Sequence, residues 1–292
     1  MKNNMNALTT TIAALIACSG IHAQTMIDKS DIKLKNDLMT PEALWAMGRI
    51  GGAESSPDGK TIVYQVGYYS VKENKSRQVI YTISSDGKTQ RKLTPAGKSQ
   101  SDATWIAKGK RIAFLQDGQI WSMAADGSDC KQLTKSSTDI EGYKFSPDEQ
   151  SVLLIKSIPY NGSIKKNPDD LPLATGRLVT DLNYRHWDHY VESMQHPFIA
   201  KVGESGIDDG IDILKDEPYE CPMAPFGGIE QLNWSPDSKI IAYTCRKKEG
   251  VSYAISTDSD IYLYDVTTGK TTNICKPSNY IPVDVDPTKS MK

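Results

Sequence analysis

The densest chemistry in this sequence is the octapeptide Asn183-Tyr184-Arg185-His186-Trp187-Asp188-His189-Tyr190, which gathers two histidines, an arginine, an aspartate and three aromatic rings. His186, His189 and Asp188 are metal-ligand types, but residues three apart on a strand point to opposite faces, which argues against a shared ion. Two readings remain. As an outer-strand segment it needs no function, because the tryptophan packs and the arginine pairs with the aspartate. As a ligand-facing segment, Arg185, His186, Trp187 and Asp188 offer charge-assisted hydrogen bonds and a stacking face to a substrate or partner. Neither reading calls for a cofactor, and no metal is expected.

Nucleophilic chemistry is the next possibility. The strand-turn-helix serine elbow needs Gly-x-Ser-x-Gly, and that pattern occurs nowhere in the chain. The histidines are His22, His186, His189 and His196, none of them placed late in the chain, so no catalytic residue is nominated. The cysteines are Cys18, Cys130, Cys221, Cys245 and Cys275, without any Cys-x-x-Cys spacing. A zinc site of the usual kind is therefore not expected. The last four read as buried thiols with room for one disulfide, and all three pairings stay open.

The elements that must position such residues repeat along the chain. Ser56-Pro57-Asp58-Gly59-Lys60 precedes Thr61-Ile62-Val63-Tyr64; the phrase returns as Ser146-Pro147-Asp148 before Ser151-Val152-Leu153-Leu154, and as Trp234-Ser235-Pro236-Asp237 before Ile240-Ile241-Ala242-Tyr243. A degenerate copy, Trp105-Ile106-Ala107-Lys108-Gly109-Lys110, leads into Arg111-Ile112-Ala113-Phe114. A second phrase follows: Ile80-Tyr81-Thr82-Ile83 runs into Asp86-Gly87 and returns at Leu93-Thr94, Ile120-Trp121-Ser122-Met123 into Asp126-Gly127 and Leu133-Thr134, and Ile261-Tyr262-Leu263-Tyr264 into Thr268-Gly269 and Ile274-Cys275. Proline fixes φ, aspartate bonds its own backbone, and Asp-Gly tolerates the positive φ of tight hairpins. Each repeat thus reads as turn, strand, strand, turn, strand.

Repeats start near 56, 106, 146 and 235, a basic period of about 40–50 residues, the size of a propeller blade. The third is lengthened by an insertion at about 157–196 that contains the octapeptide. The expected fold is all-β: about four β-propeller blades forming an incomplete ring over 51–292, preceded by a 24–50 segment with a short helix. That helix is signalled by Thr40 as cap, Pro41 in the first turn, Glu42 at the positive dipole end and Gly48 as its close, with Leu44 and Trp45 expected to pack on the first blade.

Residues 1–23 read as a signal peptide: Lys2 stands before an apolar stretch from Ala7 to Ala17, too short to span a bilayer, with cleavage expected after Ala23. Export to the periplasm follows. Leu15-Ile16-Ala17-Cys18 also resembles a lipobox, and a lipid on Cys18 is the one route to a membrane. With 34 basic and 36 acidic side chains the net charge is −2, without the basic excess of a nucleic-acid binder.

Met39-Thr40-Pro41-Glu42-x-Leu44-Trp45, then Gly48-Arg49-Ile50 and Ser56-Pro57-Asp58-Gly59-Lys60, resembles the start of the N-terminal propeller of S9-family (prolyl oligopeptidase) serine peptidases. The repeated phrases also resemble TolB-like propellers. The helix phrase, the leader and Tyr184-Arg185-His186-Trp187-Asp188 tilt the resemblance toward the dipeptidyl-peptidase V and acylaminoacyl-peptidase branch, over about residues 36–285. The resemblance implies a ring of seven or eight blades, followed by an α/β-hydrolase domain that carries a Ser-Asp-His triad and acts on short peptides admitted by the propeller. That domain is absent from this sequence. Adjacent Glu-Glu, which the dipeptidyl-peptidase IV branch uses to hold the substrate's amino terminus, is absent too.

The expectation is therefore a substrate-gating propeller fragment of an exported S9 exopeptidase, inactive alone. Two alternatives are a non-enzymatic TolB-like binding module, which would be monomeric and inert, and a half-propeller completed by self-association or by an α/β-hydrolase partner.

Overall fold

A computed structural model describes residues 27–30, 32, 36–160, 164–165, 171, 173–174, 178–179, 191 and 193–276. A short helix α1 (Pro41–Ala46) leads into four antiparallel sheets that follow one another along the chain. The first blade holds β1 (Arg49–Ser55), β2 (Thr61–Ser70), β3 (Lys75–Ser84) and β4 (Gln90–Lys92), paired in that order. The second holds β5 (Ser101–Ile106), β6 (Arg111–Gln116), β7 (Gln119–Ala124) and β8 (Lys131–Gln132). In the third, β9 (Ile140–Phe145) pairs with β10 (Ser151–Pro159); after a separate pair, β11 (Ile164–Lys165) with β12 (Leu178–Val179), the blade resumes with β13 (Ser193–Gly203), β14 (Gly206–Ile207) and β15 (Ile211–Asp212). The fourth holds β16 (Leu232–Trp234), β17 (Ile240–Cys245) and, after α2 (Gly250–Ile255), β18 (Asp260–Asp265) and β19 (Thr271–Asn273). The fold is all-β, with four propeller blades among the described residues.

Each Ser-Pro-Asp phrase is a turn inside a blade, with a strand before it as well as after it, so every blade gains one strand over the repeat read from sequence. The turn chemistry is the same each time. Ser56 Oγ donates to Asp58 Oδ1 at 2.7 Å and accepts from Thr61 N at 3.0 Å; Ser146 does so with Asp148 (2.6 Å) and Ser151 (3.0 Å), and Ser235 with Asp237 (2.6 Å) and Ile240 (2.9 Å). Donation from the serine hydroxyl, then from a backbone N–H, holds all three aspartates below the usual carboxylate range. The residue after the aspartate takes positive φ: Gly59 in the first blade, Glu149 and Ser238 in the third and fourth.

Apolar faces close between blades, because a four-stranded sheet cannot bury its own two faces. Val63, Ile80 and Leu93 meet Trp105, Ile112, Phe114 and Met123 at the first joint. Ala113, Leu115 and Ile120 meet Tyr143, Val152, Leu154 and Ala200 at the second, and Leu153, Ile155 and Ile199 meet Leu232, Ile241 and Tyr243 at the third. The ladder between β10 and β13 runs unbroken from Ser151↔Lys201 to Pro159↔Ser193, so the long excursion leaves and rejoins the blade at a paired position.

Thr40 caps α1 as expected, accepting from Ala43 N at 3.2 Å. Two details differ from the sequence reading. Ala43 is the buried residue of the helix, while Leu44 is 45% exposed and Trp45 meets the blade edge-on to Tyr69 at 5.5 Å. Gly48 is not a left-handed stop: a Cβ there would stand 2.7 Å from Val66 Cγ1, so glycine is present because the chain passes tight against β2. The remaining face of blade 1 is covered by Ile27, which packs near Val66, Tyr68 and Val79. Arg77 pins this strap, donating to Ile27 O (3.0 Å), Asp28 Oδ2 (3.3 Å), Pro95 O (2.8 Å) and Lys98 O (2.6 Å). Among the described residues no helix is long and apolar enough to cross a membrane.

Candidate functional site

Arg185, His186, Trp187 and Asp188 lie outside the described residues. Among those described, no three His, Cys, Asp or Glu side chains converge on a point where a metal ion could sit. The site that is built by the fold is the wall made by the first strands of the blades.

These strands are tied to one another from blade to blade. Trp105 Nε1 donates to Glu54 O at 3.2 Å, and Trp234, at the same repeat position, donates to Lys144 O at 3.0 Å. The intervening blade has Phe145 at this position and uses Tyr143 instead, whose hydroxyl donates to Asp102 O at 2.6 Å. The residue before the aromatic adds a second tie. Thr104 Oγ1 donates to Glu54 Oε2 at 2.7 Å, and Lys144 Nζ donates to Leu232 O at 2.6 Å and Asn233 Oδ1 at 3.0 Å. Register shifts interrupt β1 between Ile50 and Ala53, β5 between Ser101 and Thr104, and the β9–β10 ladder between Ile155 and Lys156. Such bulges re-aim side chains along a strand. The one in β5 puts Asp102 at φ 54°, its N–H donating to Gln65 Oε1 at 2.7 Å.

Between β5 and β9 the wall opens into a cavity of about 340 Å³, lined by Asp102, Thr104, Tyr143, Lys144 and Glu149 with Trp105 and Phe145 as its rings. Burial holds the Lys144 ammonium below the usual lysine range, against the pull of Glu230. Burial also pushes the Tyr143 hydroxyl well up, reinforced by the Asp102 and Glu54 carboxylates. Glu149 reaches across the joint to Ala107 N at 2.9 Å and Lys108 N at 3.3 Å. Two separate carboxylates, a desolvated lysine and aromatic edges can hold and orient a peptide-like ligand. The Ser146 hydroxyl that also lines the cavity is committed to its turn, donating to Asp148 Oδ1 at 2.6 Å and accepting from Ser151 N at 3.0 Å.

A second polar cluster stands where the excursion leaves blade 3. Lys156 and His196 are opposite one another in the β10–β13 ladder. His196 is fully buried; its Nδ1 lies 2.9 Å from Asp212 Oδ2, while Nε2 is buried without a hydrogen-bond partner. Asp212 Oδ1 accepts from Leu214 N at 2.8 Å, and Lys156 Nζ donates to Asp209 O at 2.7 Å over the Phe198 ring. Burial lowers the Lys156 ammonium, against Asp209, Asp212 and Asp208. A His–Asp pair is two-thirds of a hydrolytic triad, but no hydroxyl reaches Nε2, and this pair holds β13 to β15 rather than activating a nucleophile. No spacing in the chain signals it, since His196 and Asp212 become partners only through the β13–β15 pairing.

No family model matches the chain. Among curated proteins, dipeptidyl-peptidase 5 of Porphyromonas gingivalis is 42% identical over 267 residues, covering 90% of this chain and 39% of the relative. Dipeptidyl-peptidase 5 of Porphyromonas endodontalis is 40% identical over 244 residues, covering 82% and 35%. The chain belongs to the S9 family, as a propeller region of the dipeptidyl-peptidase 5 type. Among solved structures, the acylaminoacyl peptidase of Pyrococcus horikoshii is similar over 79% of this chain and 33% of that one, at TM-score 0.50 and 12% identity, a likeness of fold alone. The chain spans about two-fifths of the length of the dipeptidyl-peptidase 5 relatives it matches. The S9 propeller region described here therefore contributes the joints and the wall of first strands, and none of its described side chains form a triad.

Proposed function

We propose that this propeller region admits short peptides to the active site of an exported S9-family serine exopeptidase, and that the first-strand wall is the surface they pass. The observation that carries the reading is the 42% identity to a dipeptidyl-peptidase 5 across 90% of the chain. The polar wall supports it, because the carboxylates of Glu54 and Asp102 and the ammonium of Lys144 offer charge of both signs to a peptide's termini and amides. On this reading residues 1–23 direct the protein to the periplasm, the chemistry belongs to an α/β-hydrolase domain outside this sequence, and Arg185, His186, Trp187 and Asp188 form a further peptide or partner contact.

The test has two stages. The source's coding DNA is read past codon 292 for more Ser-Pro-Asp-Gly repeats, a Gly-x-Ser-x-Gly elbow and a late histidine. In the product so encoded, kcat/KM is then measured for a dipeptidyl-coumarin substrate and for a peptide of about twenty residues, with Lys144 intact and as Lys144→Gln. The expected result is a change in the ratio between the two substrates and little change in kcat for the short one. A stop at codon 293, an unaltered ratio, or hydrolysis by the pure 292-residue chain would each overturn the proposal.

A further inference from the structure

Cys221 and Cys245 are fully buried in the apolar core between blades 3 and 4. They come from different segments. Cys245 ends β17, and Cys221 lies in the connection from β15 to β16, where its N–H donates to Gln195 O at 2.9 Å. The two thiols grip each other's backbone reciprocally: Cys221 Sγ donates to Thr244 O at 3.4 Å, and Cys245 Sγ donates to Glu220 O at 3.5 Å. Each acceptor belongs to the residue just before the other cysteine. A carbonyl oxygen lies about 2.8 Å from the next Cα by standard peptide geometry, so each sulfur stands within about 6.3 Å of the opposite Cα whatever the angle. Because the relation runs both ways, the side chains face each other rather than pass. Both side chains stand as thiols in the structure, and closing a disulfide requires their Cα atoms to come roughly 4.4–6.8 Å apart.

The other two described cysteines are exposed and sit apart, Cys130 before β8 in blade 2 and Cys275 after β19 in blade 4. The acidic neighbour of the pair, Glu220, accepts from the Tyr253 hydroxyl of α2 at 3.3 Å, and its charge is near enough to add to the rise of the Cys221 thiol. Burial pushes the Cys221 thiol up, and the adjacent Cys245 sulfur adds to this, so the closed joint disfavours exchange through the thiolate.

We propose that Cys221 and Cys245 are joined by a disulfide that staples the connection after β15 to β17, locking the joint between blades 3 and 4. The bond forms before that joint closes. One cysteine thiolate attacks a small disulfide oxidant RSSR and expels one thiolate; the second attacks the mixed disulfide and expels the other. The two protein thiols are oxidised, RSSR is reduced to two RSH, and the two thiol protons pass to the leaving thiolates.

The full chain, refolded in a mixture of oxidised and reduced glutathione, is alkylated under denaturing conditions and mapped by mass spectrometry without reductant. The expected map contains a peptide pair linking Cys221 to Cys245 that separates on addition of dithiothreitol, and alkylated Cys130 and Cys275. A Cys130→Ser/Cys275→Ser variant retains the same cross-link. Reduction of the wild-type protein lowers the melting temperature by about 5–10 °C, as for a loop of this length. Recovery of Cys221 and Cys245 both alkylated, or of either bonded to a different cysteine, overturns the assignment, and a cross-link whose reduction leaves the melting temperature unmoved overturns the staple.

Discussion

Trp234→Phe measures what the wall of first strands contributes. The indole of Trp234 donates to Lys144 O at 3.0 Å and packs its half-buried ring against the core of the third joint. Phenylalanine is compatible with the position, because Phe145 occupies the equivalent place one blade earlier. The substitution therefore removes one neutral hydrogen bond, about 1 kcal/mol net, and about two ring carbons at partial burial, about another 1 kcal/mol. A total near 2 kcal/mol corresponds to a fall of roughly 4–8 °C in melting temperature for a chain of this size. Urea unfolding followed by far-UV circular dichroism reads it directly, since that signal does not depend on the tryptophan being replaced. A loss below about 0.5 kcal/mol with an unchanged m-value would show that the indole bond is an accident of packing and that the apolar joint alone holds the blades.

Two further outcomes follow from buried charge. Asp28→Asn loosens the strap over blade 1 by about 1–2 kcal/mol at neutral pH. In the wild type, burial pushes the Asp28 carboxyl up, but hydrogen bonds from Lys92 and the Lys29 N–H, with the charges of Lys92 and Arg77, outweigh this and hold it below the usual carboxylate range. A depressed carboxyl stabilises above its unfolded value and loses that contribution as pH falls through the folded one. The difference between variant and wild type in denaturant midpoint therefore shrinks below about pH 4; a constant difference down to pH 2 contradicts the ion-pair account. Asp212→Ala leaves both His196 Nδ1 and Leu214 N without a partner and lowers stability by about 2–3 kcal/mol, whereas Asp212→Asn, which keeps an oxygen for Leu214 N and turns an amide donor to His196 Nδ1 in its accepting tautomer, costs about 1. Equal losses in urea titrations would show that the carboxylate's hydrogen bonds are not what holds β15.

Much of this fold was legible because turns carry their own chemistry. Ser56, Ser146 and Ser235 with their aspartates announce a hairpin through local hydrogen bonds, and the apolar runs after them alternate as strands must. The strand before each turn was harder to read. β1 is exposed along nearly its whole length and contains Gly51-Gly52, so it lacks the alternation that marks a half-buried strand. Gly48 read as a helix stop and serves instead as a close approach to Val66, a tertiary fact that no local pattern carries. The wall was partly legible: Trp105 and Trp234 recur in the repeat, but that their indoles bond to the preceding blade depends on how the blades stack. The reciprocal grip of Cys221 and Cys245 joins residues from a turn-rich connection and a strand end, and spacing alone left their pairing open.

The ties between first strands also bear on the order in which the molecule can assemble. They link residues 51, 41 and 90 positions apart at the successive joints, always to the blade just completed. A chain emerging from its amino terminus can thus close each joint without waiting for a distant segment. The last interval is the longest because the third repeat carries the excursion. Loop-closure entropy grows only with the logarithm of length, so stretching an interval from 51 to 90 residues raises the closing cost by about 0.5 kcal/mol. A propeller built this way can lengthen one hairpin greatly while its neighbours still meet.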